Sequence, residues 1–132
     1  MSTPKKAGTP SRILIVDDDQ LVADTLTLVF SKKGFDVRTC YSAEDALPCA
    51  RAFLPDLLLC DVLLPGTDGY TLVRQISGEL PACQVLIFTG TQPTVEVFKS
   101  QTRSLPRPPA ILTKPCQPSE LLREVNSLLR CA

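Results

Sequence analysis

The sequence predicts an α/β protein built on a doubly wound parallel sheet of five strands. Three observations predict it. Four apolar runs are short and nearly continuous, stretches of helical periodicity separate them, and polar residues fall where the runs end. A continuous apolar run of three or four residues is too short for a helix and reads as a strand covered on both faces. Regular alternation of strand and helix implies a parallel sheet with right-handed crossovers and helices on both sides.

The elements follow in order. Ile13-Leu14-Ile15-Val16 is the first strand. Residues 19–33 carry apolar positions at Val22, Leu26, Val29 and Phe30, and Gly34 is the helix stop. Phe35-Asp36-Val37-Arg38-Thr39 alternates apolar and polar, so one face is half exposed and the strand belongs at a sheet edge. The helix over 43–53 starts from Ser42, with Asp45 completing a weak capping box, and Pro48 inside it should kink or shorten it. Leu57-Leu58-Leu59-Cys60 is the third strand, and the helix over 68–77 ends at Gly78. Val85-Leu86-Ile87-Phe88 is the fourth strand, and a helix over 94–103 follows Pro93. Ala110-Ile111-Leu112 is the fifth. The last helix, 118–130, has Pro118 at its first position and a stripe of Leu121, Leu122, Val125, Leu128 and Leu129. Five such units suggest the strand order 2-1-3-4-5, a flavodoxin-like (βα)5 arrangement, with any ligand at the carboxyl ends of the strands near the switch point.

The 132 residues make one domain with one sizeable core. Lys+Arg and Asp+Glu number 14 each, and a zero balance argues against broad adhesion to nucleic acid or membrane while leaving a local patch open. No apolar run approaches the roughly 20 residues of a membrane span. Met1 to Ser11 has Lys5 and Lys6 but no apolar core, so it reads as a flexible tail and not a secretory signal. The six cysteines form no C-x-x-C pair and most lie in or beside apolar segments. Reduced thiols and a cytoplasmic location are the expectation. The absence of histidine excludes imidazole catalysis and imidazole metal sites.

The strand ends carry the specific chemistry. Asp17-Asp18-Asp19 follows the first strand, Asp61 the third, Thr89-Gly90 ends the fourth, and Thr113-Lys114-Pro115 ends the fifth. In a parallel sheet these converge on one edge. Singly, each has an ordinary reading: Asp19 as the cap of the next helix, Thr89 as a loop hydroxyl, Lys114 as a solvated charge. Together they need another explanation. Two carboxylates about 4 Å apart repel by on the order of 4 kcal/mol at an effective dielectric near 20. A compensating cation is required, and hard oxygen donors suit Mg²⁺. Lys114 and the Thr89 hydroxyl add a positive charge and a donor, as a phosphoryl group on Asp61 would need.

The segments ILIVDDD (13–19), PDLLLCDVLLPGTDGY (55–70), VLIFTG (85–90) and ILTKP (111–115) resemble the receiver domain of two-component response regulators. The likeness covers about residues 12–130, and it sets a receiver domain over 12–131 behind a tail of 1–11. It implies a stand-alone, single-domain receiver that accepts a phosphoryl group on Asp61 from a sensor histidine kinase or a histidine phosphotransfer protein. Asp17, Asp18, Asp61 and the backbone carbonyl of Leu63 would hold Mg²⁺. Lys114 would pair with Asp61 and then with the phosphoryl oxygens, and Thr89 would bond the phosphoryl group and report the state. Pro65, Gly66, Asp68 and Gly69 would be structural. The resemblance also implies a switch, not a turnover enzyme, that assists its own phosphorylation and dephosphorylation. Output would pass by protein contact of the helix 4–strand 5–helix 5 face, or by onward transfer, with no direct nucleic-acid contact and no membrane insertion.

Two features depart from the pattern. The residue three before Lys114 is usually aromatic in the family and swings inward on activation; here it is Ile111. The 25-residue step from Thr89 to Lys114 is a little long and contains Ser104-Leu105-Pro106-Arg107-Pro108-Pro109. Both leave open a phosphorylation-independent adaptor. Lys99, Arg103 and Arg107 lie in a stretch without acids, and are either scattered solvated charges or a rim for an acidic partner. Leu63 and Thr91, neither an acid nor an amide, point to slow loss of the phosphoryl group. Cys60 reads as a buried strand residue. A haloacid-dehalogenase-like hydrolase is argued against by Leu63, where a second Asp is needed. A flavin site is argued against by the three acids after the first strand.

Overall fold

The computed structural model describes residues 9–61, 69–89, 92–113 and 116–130. Ten elements alternate: β1 (Arg12–Val16), α1 (Gln20–Lys32), β2 (Asp36–Cys40), α2 (Ala43–Phe53), β3 (Leu57–Cys60), α3 (Gly69–Glu79), β4 (Gln84–Thr89), α4 (Gln92–Thr102), β5 (Ala110–Thr113) and α5 (Pro118–Arg130). The sheet is parallel in the order β2-β1-β3-β4-β5, as the sequence implies. The expected N-terminal tail falls, up to residue 8, outside the described residues.

Alternation of side chains across the strands builds two cores. Leu14, Val16, Leu58, Cys60, Val85 and Ile87 face α2, α3 and Phe98 of α4. Ile13, Ile15, Leu57, Leu59, Leu86 and Phe88 face α1 and α5. The inner strands β3 and β4 are buried throughout, which is why their sequences show no polar alternation. β2 alternates exposed and half-buried positions because it is an edge. β5, the opposite edge, is only half buried.

Helix ends follow their capping residues. Asp19 accepts from the Val22 amide at 3.2 Å and starts α1. At the other end the Gly34 amide donates to Ser31 and the Phe35 amide to Phe30. These bonds, with Gly34 at φ +94° and the Phe30–Phe35 ring contact at 5.7 Å, form a Schellman closure. The buried stripe of α1 is Ala23, Leu26 and Phe30, so the small Ala23 sits inward where the sequence pattern suggested Val22.

The expected shortening of α2 does not occur: the helix runs from Ala43 to Phe53 through Pro48. Ser42 caps one end by accepting from the Asp45 amide, and Leu54 in the left-handed region closes the other with its amide on Ala50. Arg12 Nη1 also donates to the Phe53 carbonyl. Pro48 and Glu44 are both exposed, so the carbonyl that loses its helical partner opens to water. Burial of Ala43, Ala46, Ala50 and Phe53 holds the inner face.

Candidate metal and phosphoryl site

The strand register brings the acids together. Val16 lies beside Cys60, and Cys60 beside Ile87, so Asp17 and Asp61 leave adjacent strands side by side. The Asp17 amide donates to the Cys40 carbonyl, and the Asp61 amide donates to the Val16 carbonyl. Both residues are therefore pinned to the sheet, while Asp18 begins the loop. One carboxylate oxygen from each of Asp17, Asp18 and Asp61 falls within 4.8 Å of the others. Asp17 is 3% exposed, Asp61 is half-buried and Asp18 is open to solvent. At such separations each pair repels by on the order of 3 kcal/mol at an effective dielectric of 20. An all-oxygen donor set under mutual repulsion fits a hard divalent cation such as Mg²⁺, which keeps several waters beside a few carboxylates.

Asp19 stands apart. Its side chain caps α1 and its amide donates to Asp17 Oδ1 at 3.0 Å. It orients an acid of the cluster and is not one of the three.

Thr89 ends β4, one strand beyond Asp61. It is fully buried, and its hydroxyl has no hydrogen-bond partner among the described residues. A buried hydroxyl without a partner carries a desolvation cost of about 1–3 kcal/mol. It stands at the carboxyl edge of the sheet, on the strand next to the one that ends before Asp61.

Cys60 precedes Asp61 and is buried, with its thiol donating to the Asp61 carbonyl at 3.2 Å. Burial, and then the charges of Asp61 and Asp17, push this thiol well above the ordinary cysteine range, so it stays protonated. The reading of Cys60 as a buried strand residue holds. The described cysteines, Cys40, Cys49, Cys60, Cys83 and Cys116, are free thiols.

Lys114 and the Leu63 carbonyl lie outside the described residues, as do Pro65, Gly66, Asp68, Gly90 and Thr91. Lys99, Arg103 and Arg107 are all exposed. Phe98 and Thr102 anchor the inner face of α4, with the Thr102 hydroxyl on the Phe98 carbonyl at 2.9 Å. The proline-rich segment is held at Leu105, whose amide donates to Thr102 and whose side chain packs on the core. Sequence reading did not single out Arg12, Arg38 and Cys49, which line a cavity between β2 and α2. No single motif carries them; only the edge position of β2 joins them. None of the described helices is long and apolar enough to cross a membrane.

The response regulator receiver domain family matches residues 13–126. Over 119 residues the chain is 33% identical to the DNA-binding response regulator MtrA of Mycolicibacterium paratuberculosis (strain ATCC BAA-968 / K-10), covering 90% of this chain and 51% of MtrA. It thus spans about half the length of that relative. Among solved structures, a CheY-like response regulator receiver domain protein from Methanospirillum hungatei JF-1 superposes with a TM-score of 0.83 at 26% identity, covering 92% of this chain and 95% of that one. The chemotaxis response regulator CheY4 of Vibrio cholerae shares the fold, with a TM-score of 0.81 at 21% identity over 91% of this chain and 99% of that one. The acidic cluster at the carboxyl edge of a 2-1-3-4-5 sheet and the family match over most of its length agree: the chain belongs to the response regulator receiver domains of two-component systems.

Proposed function

We propose that this receiver is a phosphorylation-switched module that takes a phosphoryl group onto Asp61 from a histidine kinase or a histidine phosphotransfer protein. The observation that carries the reading is the cluster of Asp17, Asp18 and Asp61, with the orphaned Thr89 hydroxyl one strand away. A carboxylate oxygen of Asp61 attacks the phosphorus in line. An O–P bond forms as the P–N bond to the donor imidazole breaks, and the electron pair leaves with the nitrogen. Asp17, Asp18 and Asp61, with the Leu63 carbonyl, would hold Mg²⁺, which would supply charge neutralisation at the phosphoryl oxygens. Lys114 pairs with the same oxygens, and Thr89 donates its hydroxyl to one of them. That gives the buried hydroxyl a partner and couples β4 to the state of Asp61.

The altered surface reaches its target through the α4–β5–α5 face, where exposed Lys99, Arg103 and Arg107 suit an acidic protein. Leu63 and Thr91 leave no side-chain acid or amide to direct water, so the acyl phosphate turns over slowly. A half-life of seconds in the isolated protein argues against that. Charge reversal of Lys99, Arg103 and Arg107 lowers partner affinity; unchanged affinity removes this face from the mechanism.

The direct test is incubation with acetyl phosphate and Mg²⁺ followed by mass spectrometry. The expected result is one phosphoryl group on Asp61, lost in Asp61→Asn. A second reading, a phosphorylation-independent adaptor, is favoured by Ile111, which packs half-buried against the core on the α2–α3 side and has no ring to swing. Absence of the adduct where a control receiver is labelled selects that reading.

A further inference from the structure

A second group of reactive side chains lies away from the acidic cluster, where α2 crosses the edge strand β2. A cavity of about 370 Å³ is lined there by Arg12, Asp36, Arg38, Cys49, Ala52 and Phe53. Two guanidinium groups flank the Phe53 ring, Arg38 at 5.0 Å and Arg12 at 5.9 Å from its centroid. Arg12 is committed to the Phe53 carbonyl. Arg38 makes no ion pair among the described residues.

Behind the cavity wall lies a second thiol. Cys40 ends β2 and is buried, and its Sγ reaches the Asp45 carbonyl at 3.8 Å. Asp45 and Cys49 are four apart on α2, so that carbonyl is the helical acceptor for the Cys49 amide. Cys40 therefore sits against the turn that presents Cys49. The two thiols are near neighbours, Cys40 within the α2-side core cluster and Cys49 half-buried and packed against that cluster. One thiol thus opens to a basic cavity while its neighbour is sealed inside.

We propose that Cys49 and Cys40 form a reversible dithiol pair, oxidised to an intramolecular disulfide by a small anionic disulfide of the glutathione class drawn in by Arg12 and Arg38. In the first step the Cys49 sulfur attacks one sulfur of the small disulfide. The S–S bond breaks, and the departing thiolate takes up the proton that Cys49 sheds. In the second step the Cys40 sulfur attacks the Cys49 sulfur, and its proton goes to the second departing thiolate. Two protein thiols are oxidised and one small disulfide is reduced to two thiols. Cys40 is buried and gives up its proton reluctantly, so the mixed disulfide on Cys49 accumulates first. The product bond ties the end of β2 to the second turn of α2.

The test is exposure of the full chain to oxidised glutathione, followed by mass spectrometry without reductant. The expected sequence is a gain of one glutathionyl group, then a species two hydrogens lighter than the reduced protein. Peptide mapping should join Cys40 to Cys49, and dithiothreitol should reverse the change. Cys49→Ser should lose both products, and Cys40→Ser should stop at glutathionylated Cys49. If Cys40→Ser does not fold, Cys49→Ser and the mapped wild type carry the test. Arg38→Ala should slow the first step severalfold with oxidised glutathione and leave it unchanged with neutral hydroxyethyl disulfide. A cross-link mapped to other cysteines, stable glutathionylation with no cross-link, or equal slowing with both disulfides overturns the proposal.

Discussion

Asp61 and Thr89 oppose the stability of the fold that holds them. Three carboxylate oxygens within 4.8 Å repel, so Asp61→Asn should stabilise the metal-free protein by about 1–3 kcal/mol. Urea unfolding with and without Mg²⁺ checks this, since a bound cation should shrink the gain toward zero. Thr89→Val replaces a buried hydroxyl, without a partner among the described residues, by a methyl group of similar shape. It should raise stability by about 1 kcal/mol in the same assay and weaken the response to phosphorylation. Stability and signalling moving in opposite directions marks a residue kept for a ligand. A loss of stability in Thr89→Val would mean that the hydroxyl already has a partner.

The elements show how local rules compete. α2 keeps its full length because capping at Ser42, closure at Leu54 and four buried side chains outweigh one lost amide at Pro48. Pro48→Ala restores the amide on an exposed face and should stabilise by about 1–3 kcal/mol, read from the urea midpoint. α1 depends on its closure. A methyl group at Gly34 would meet nothing within 4 Å, so Gly34→Ala isolates the backbone cost of φ +94°. A loss of about 1 kcal/mol is expected.

Across the whole molecule, a core between two helical layers sets the response to pH. Burial pushes the Cys83 thiol from the ordinary 9.0 up to about 12, and Asp56 adds to the rise. Cys60 shifts in the same direction. A raised folded value means that the native protein holds a proton the unfolded chain gives up. The contribution is complete below about pH 9 and is lost as the pH climbs toward about 12. Urea midpoints should therefore fall on the alkaline side, and Cys83→Ala should make that fall shallower. An equal fall in the variant would place the alkaline sensitivity elsewhere.

Much of this protein was legible in its one-dimensional pattern, because parallel strands covered on both faces must be apolar and short. The inner runs at Leu57–Cys60 and Val85–Phe88 announced themselves that way, and Asp36–Cys40 showed its edge position by alternating. The acids at the strand ends were legible too, since one-way strands send every carboxyl end to the same edge. What the sequence determined by itself was the order of elements and the set of residues able to meet. Only the tertiary structure decided which of them met. It drew Asp19 away as a helix cap, left the Thr89 hydroxyl without a partner among the described residues, and carried Pro48 through a full-length helix. It also set Arg12, Arg38 and Cys49 around one cavity, although they come from three different elements. The physical reason is range. Periodicity and capping act within a few residues, whereas burial, repulsion and cavity lining depend on neighbours that only the folded register supplies.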